Sequence, residues 1–324
     1  MLKKLKISTK IGAVVVALTM LSVIVISFFS YRYNQKAVEQ KNITALSSSS
    51  SSHALVVDQQ LSSIELSIKV IQQADVVKNQ STGDTSADNG GGADLMAMFG
   101  GEEAPAESNP LTDYLSSQKE VFNLQEVYLV ADNKTIVAAS DGSTGNFSDP
   151  DGYTVDKGKS GIYFSTITKQ GEQYIGYASG PVTTQAGVAQ VIVVKFSLNH
   201  VINLLADYSQ LGKTGELLLI RKSADNKSYA IINPSRIDKK APIKVIKEES
   251  LLQELNKLET ENKTWQKASN PFNGSPTMAI AKPLQHTGWV LVGQMSFEEA
   301  TATDGSLNKV FWYAGVCLTL LALL

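Results

Sequence analysis

The chain opens with an unbroken uncharged apolar run, Ile11 to Phe29, of 19 residues. At about 1.5 Å per residue a helix over this run covers roughly 28 Å, close to the roughly 30 Å hydrocarbon layer of a bilayer. Lys3, Lys4, Lys6 and Lys10 precede it with no acid among the first ten residues. The positive-inside bias then places the N-terminus in the cytoplasm. The run exceeds the roughly 7 to 15 residues of a signal-peptide core, and SFFSYRY offers no small-x-small cleavage site. A retained anchor over residues 11–32 after a cytoplasmic tail, 1–10, is therefore expected rather than a cleaved leader. A second apolar run, Val310 to Leu324, has 15 residues and begins beside the aromatic group Phe311, Trp312 and Tyr313. It reads as the start of a second span with an interfacial aromatic belt, preceded by a juxtamembrane segment, 303–309.

Between these runs the pattern changes three times. From Tyr33 to about Asn79 there is no proline or glycine, and Val57, Leu61, Ile64, Ile68 and Ile71 recur at steps of 4, 3, 4 and 3. This heptad-like stripe predicts a long helix over 33–80, rising from the membrane and packing against a partner helix or a domain. Ser47 to Ser52 lower its intrinsic propensity, so packing has to order it. Residues 81–107 hold six glycines, six acids and no basic residue. That composition predicts a flexible acidic loop over 81–109.

Short apolar segments bounded by polar turns follow. VYLV and TIVAA flank the turn Asp132-Asn133-Lys134, and Ile162 to Thr168, Glu172 to Ser179 and Ala186 to Phe196 complete an expected antiparallel sheet in a first unit, 110–208. Ser197 with His200 to Tyr208 reads as a capped linking helix. A second unit, 209–302, is expected to contain strands at Glu216 to Arg221, Ser228 to Ile232, Thr277 to Pro283 and Trp289 to Met295, with an amphipathic helix at Glu248 to Glu261. Gly215 and Gly288 suit backbone needs at strand openings, and Trp289 suits a core. The fold class is α+β: a long N-terminal helix backing two stacked antiparallel-sheet units, flanked by transmembrane helices. Partial repetition of the hairpin-helix-hairpin order suggests internal duplication.

Composition and motifs narrow the chemistry. With 29 Lys+Arg against 31 Asp+Glu, nucleic-acid binding is not expected. Cys317 is the sole cysteine, so the exported part has no intrachain disulfide and relies on its own core. Gly212-Lys213-Thr214 lacks the first glycine of a phosphate loop and precedes a strand instead of a helix. His53, His200 and His286 are scattered, and no zinc or nucleophile-elbow motif occurs. No catalytic residue, metal site or cofactor is expected. Tyr128, Tyr163, Tyr174 and Tyr177 lie on strands of the first unit, where aromatic walls with hydroxyl donors can hold a small molecule. Lys169 and Asp141 add charge from flanking loops. A weaker candidate is an anionic pocket of Arg221, Tyr229 and Arg236 in the second unit. Glu298 and Glu299 precede the second apolar run and mark a helix able to carry motion into it.

The pieces LGKTGELLLIRK (211–222), AIAKPLQHTGWVLVGQMSFEEA (279–300) and IYFSTITKQGEQYIGYASGPV (162–182) resemble the double Cache sensor domains of bacterial chemoreceptors, sensor histidine kinases and cyclic-dinucleotide enzymes. The resemblance covers about Tyr33 to Ala302. It implies two stacked PAS-like units on a long helix, a small ligand in the membrane-distal unit, and a second span leading to a cytoplasmic output domain such as a histidine kinase, a nucleotide cyclase or a chemoreceptor signalling rod. The Tyr-x-x-x-x-Arg-x-Trp-Tyr element of the amino-acid-binding versions is missing. The expected function is thus the ligand-sensing input region of a two-span receptor in the bacterial inner membrane, with residues 33–309 extracytoplasmic and homodimerisation as the simplest route for a signal. The alternative is a membrane-anchored structural or adhesive exodomain that binds no small ligand.

Overall fold

The computed structural model describes residues 7–79, 109–185, 187, 189–223, 228–237, 244–246, 253, 257, 266–270, 274–302 and 313. The expected acidic loop and the second apolar run lie outside these residues, apart from Tyr313 and the last residue of the loop, Asn109. The expected helix at Glu248 to Glu261 also lies outside them, except Gln253 and Lys257, which are helical.

One helix, α1 (Ile7–Gln73), carries both the anchor and the stripe. Among the described residues it is the one helix long and apolar enough to cross a membrane. Its apolar side chains from Ile11 to Phe29 are largely exposed, whereas Val57, Leu61, Ile64, Ile68 and Ile71 are buried. Burying five such side chains contributes on the order of 10 kcal/mol. The six serines cost about 3 kcal/mol of helix propensity in total, so packing decides the helix. The stripe packs on sheets of its own chain. A short α2 (Asp75–Lys78) ends this arm.

The first unit begins with α3 (Pro110–Val121), which the strand-centred pattern does not predict. Its local signals are good: Asn109 caps the Leu111 amide at 3.0 Å, Pro110 opens the first turn, and Leu111 and Leu115 are buried. Strands β1 (Glu126–Ala131), β2 (Thr135–Ala139), β3 (Gly145–Asn146), β4 (Tyr163–Phe164), β5 (Thr168–Gln170), β6 (Gln173–Thr183) and β7 (Ala189–Ser197) form one antiparallel sheet of order β3-β2-β1-β7-β6-β4, with β5 on β6. A helical turn, α4 (Thr154–Gly158), precedes β4. The single strand expected over Ile162 to Thr168 is broken, because the Thr166 amide donates to the Asp151 carboxylate at 3.0 Å instead of to a neighbouring strand. The linking helix is shorter than expected: α5 (Asn199–Leu205) starts after Leu198, and Ser197 Oγ accepts from the Asn199 amide at 3.2 Å outside the cap position.

The second unit pairs β8 (Glu216–Lys222), β9 (Tyr229–Ile231), β10 (Lys244–Ile246), β11 (Gln266–Ser269), β12 (Pro276–Pro283) and β13 (Val290–Ser296) in the order β10-β9-β8-β13-β12-β11. A closing turn of helix, α6 (Phe297–Thr301), follows. The two strand orders coincide along the path, with β5 alone lacking a counterpart among the described residues, which supports the duplication suggested by the sequence.

α1 crosses the same side of both sheets, and in each sheet a glycine makes room for it. A Cβ at Gly180 would strike Ile68 and Gln72, and one at Gly293 would strike Ser50. The small Ser50 of α1, itself buried, therefore suits the close approach to β13. One apolar core runs from Leu46 to Ile71 of α1 through both units, and Phe164 meets Trp289 edge-on with ring centroids 6.2 Å apart. The β12–β13 turn is also tied to α1: the His286 amide donates to Asp58 at 3.3 Å and its ring lies 3.0 Å from Glu65.

Candidate ligand site

Alternation splits each sheet of the fold into a face under α1 and an outer face. On the outer face of the first unit, register aligns Tyr128 of β1 with Val193 of β7, Ser179 of β6 and Tyr163 of β4. The next row aligns Glu126, Lys195 and Tyr177. Phe147 stands between the two rows of rings, 5.5 Å from Tyr128 and 6.0 Å from Tyr177 by centroid. The Lys195 ammonium donates to Glu126 at 3.2 Å, and the Tyr128 hydroxyl donates to the same carboxylate. Burial pushes the Tyr177 hydroxyl pKa up, with Lys195 opposing. The result is an aromatic wall at one rim of which Glu126, Lys195 and the Tyr128 hydroxyl meet.

The segment Asp149 to Gly158 covers this face. Asp149 Oδ1 accepts from the Gly152 and Thr154 amides at 3.1 and 3.2 Å, and its other oxygen takes the Lys134 ammonium at 3.2 Å. Burial works to raise the Asp149 carboxyl; the Thr154 and Lys134 contacts override it and hold it below its ordinary value. α4 lies so close to the sheet that a Cβ at Gly158 would strike Ser179 and Val191, and Ser179 Oγ donates to the Thr154 carbonyl at 2.6 Å. Asp151 links outward: its carboxylate accepts from Tyr153 N, Thr154 Oγ1, Thr166 N and the Tyr163 hydroxyl at 2.9–3.0 Å.

Arg221 of the second unit reaches the same point. Its Nη2 donates to the Tyr163 hydroxyl at 3.0 Å and lies 3.5 Å from Asp151. Burial raises the Tyr163 hydroxyl pKa, with Arg221 and Asp151 acting in opposite directions. β4 is thus a joint between units, sending Tyr163 to Arg221 and Phe164 to Trp289.

The structure separates the six residues singled out from sequence. Tyr128, Tyr163 and Tyr177 share the outer face. Tyr174 does not: three positions from Tyr177, it points under α1 into the main core. Lys169, its cross-strand partner on β5, lies over the Tyr174 ring at 5.7 Å. Asp141 caps the Ser143 amide at 3.0 Å in the turn after β2, and Ser143, through its side chain first and its amide second, holds the Asp141 carboxyl below the ordinary value against the effect of burial. Glu126, Phe147, Asp149, Asp151 and Lys195 complete the face without having been singled out. Period-2 parity on the strands and the Asp-Pro-Asp-Gly turn were the signals that could have found them. Arg221, Tyr229 and Arg236 do not converge, since Arg221 turns to the first unit and Arg236 donates to the Gly212 and Gly215 carbonyls. No group of His, Cys, Asp and Glu suited to a metal ion occurs among the described residues.

Two antiparallel units with one strand order, backed by a single helix that continues into an apolar run, form a double-Cache-like fold. The sensory domain of the Campylobacter jejuni chemoreceptor Tlp3 matches with a TM-score of 0.53 at 12% identity, over 84% of this chain and 100% of that domain. The same ligand-binding domain in complex with L-valine matches with a TM-score of 0.51 at 12% identity, over 83% of this chain and 98% of that one. At such identities the likeness is one of fold. No protein-family model matches the chain, and no curated protein does.

Proposed function

We propose that this chain is the extracytoplasmic ligand-sensing input region of a two-span receptor of the bacterial inner membrane, with a non-enzymatic sensor segment and an output domain in the cytoplasm. The first span is residues 11–32, the second begins at Val310, and 33–309 lie outside the membrane. The ligand is a small molecule held on the outer face of the membrane-distal unit by Tyr128, Phe147, Tyr177 and the Glu126–Lys195 rim. The observation that carries this reading is the arrangement of that face: convergent rings and hydroxyls under a segment tied down by Asp149 and Asp151, with Asp151 joined to the second unit through Arg221. The Tlp3 fold likeness, in which a ligand-binding domain of the same architecture takes L-valine, supports it. Homodimerisation would use the side of α1 turned away from the sheets, where Leu55, Leu66 and Val70 are exposed.

The test is a thermal-shift screen of the chain in nanodiscs against organic acids, amines, amino acids and purines, since a ligand that binds only the native state raises its stability. A shift that Tyr177→Ala and Glu126→Gln both abolish supports the reading. Absence of any shift across these classes, with the distal face collapsed, favours the structural exodomain.

A further inference from the structure

The turn Gly212–Gly215, read from sequence as a failed phosphate loop, binds an anion that the chain itself supplies. Lys213 N and Thr214 N donate to Glu299 Oε1 and Oε2 at 2.6 and 2.7 Å, and the Thr214 hydroxyl donates to the same carboxylate. Gly212 has φ +70°, and a Cβ there would strike the Glu299 carboxylate. Only glycine meets both demands. Thr214 Oγ1 in turn accepts from Ser296 N at 3.0 Å, and Ser296 Oγ caps the Glu299 amide at 3.1 Å. Arg236 holds the turn from behind, donating to the Gly212 and Gly215 carbonyls at 2.9 and 3.0 Å with its guanidinium over the Tyr208 ring at 5.0 Å. Gly212, Lys213 and Thr214 are exposed, so the site is open to exchange with solvent.

Glu299 belongs to α6, the last described element before the second apolar run. The same helical turn is attached to α1: Asn42 Nδ2 donates to the Ala300 carbonyl at 3.1 Å, and Ala300 packs with Ile43, Met278 and Met295. α6 therefore has two independent holds, one polar on the second unit's turn and one apolar on the helix that enters the first span. A change in either hold alters how α6 sits relative to α1.

We propose that the Gly212–Thr214 turn is a carboxylate-binding site with Glu299 as its internal ligand, and that this releasable clasp fixes α6 to the membrane-proximal unit. The site stands on its own geometry; its role as the last step of signal transfer rests on the sensor reading above. Burial works to raise the Glu299 carboxyl, but Thr214, Lys213 and Arg236 together hold it below its ordinary value, as an occupied anion site requires.

The experiment is amide hydrogen exchange on the full chain in nanodiscs. Glu299→Ala is expected to speed exchange at Lys213 and Thr214 roughly tenfold, as loss of charge-assisted hydrogen bonds does, with β1, β6 and β7 unchanged. Added acetate is expected to restore protection where chloride at equal ionic strength does not. Gly212→Ala, which keeps the charge and fills the cradle, is expected to reproduce the loss without rescue by acetate. Thr214→Val, a milder change, is expected to give a several-fold loss. Unaltered exchange in Glu299→Ala, or a loss that acetate fails to rescue, overturns the clasp. A negative ligand screen with positive acetate rescue would sink the sensor reading alone.

Discussion

The membrane-distal and membrane-proximal units share a strand order, a backing helix and a core, yet their outer faces differ in kind. The proximal outer face is aliphatic: Leu218, Ile220, Ile231, Ile246, Ala279, Ala281, Val290 and Val292 cluster with Tyr229. The buried carboxylate of Glu216 is taken up by the chain, accepting from Ser235 Oγ at 2.6 Å, Arg236 N at 2.8 Å and Gln294 Nε2 at 2.7 Å. The distal outer face carries four aromatic rings, Tyr128, Phe147, Tyr163 and Tyr177, with an ion pair and a covering segment tethered by two aspartates. Duplication of a fold therefore leaves each copy free to specialise. Here the distal copy carries rings and an ion pair under a covering segment, and the proximal copy holds α6 against its own turn and against α1.

The largest way to break this comparison is through what the units share. Trp289 is 2% exposed and touches Phe164 across the junction. Trp289→Ala is expected to cost about 3–5 kcal/mol. If the core is common, denaturant unfolding followed at β7 and β13 will shift together; a loss confined to the proximal unit would show two cores.

Arg221 tests the second connection. Arg221→Met removes the guanidinium and leaves the Asp151 carboxylate with its other donors, so the cost is expected at about 2 kcal/mol, below that of a fully orphaned buried charge. Exchange at the Thr166 amide, which donates to Asp151, is expected to rise with it. If Thr166 is unchanged, Arg221 merely fills space between the units.

The packing of α1 offers a finer comparison. Gly180→Ala presses on Ile68 and on the flexible end of Gln72, and Gly293→Ala presses on Ser50 and Leu46. Each is expected to destabilise by about 1–2 kcal/mol as overpacking does. Equal effects would show that the helix is seated alike on both sheets, and a neutral result at either glycine would refute the close-approach explanation of that position.

Legibility in the sequence followed the range of the forces involved. The stripe from Val57 to Ile71 was readable because a helix repeats its environment every turn, and the strands from Glu126 to Ala139 because two short apolar runs flank the polar turn Asp132-Asn133-Lys134. Parity was equally available for the site: a spacing of three puts Tyr174 and Tyr177 on opposite faces. The break in the strand after Phe164 was not readable, because Asp151 takes the Thr166 amide from fifteen residues away. Nor was the seat of Glu299, which depends on a turn 85 residues earlier. Gly212-Lys213-Thr214 did carry a local signal, an anion-binding turn, but the anion was part of the same chain.

The smallest effect comes from acid, and it separates the units by their carboxylates. Asp149 in the distal unit and Glu299 in the proximal unit are both held below their ordinary values. The folded state thus favours their charged forms, and their contributions are complete above about pH 5, where carboxylates of the unfolded chain are ionised. Each contribution fades as pH falls through the lower folded value. Amide exchange at Thr154, which donates to Asp149, and at Thr214, which donates to Glu299, reports the two steps separately. Asp149→Asn is expected to flatten the acid response at Thr154 alone, and Glu299→Gln that at Thr214 alone. If either substitution flattened both, the covering segment of the distal face and the clasp on α6 would be one coupled device, and the division of labour between the units would have to be abandoned.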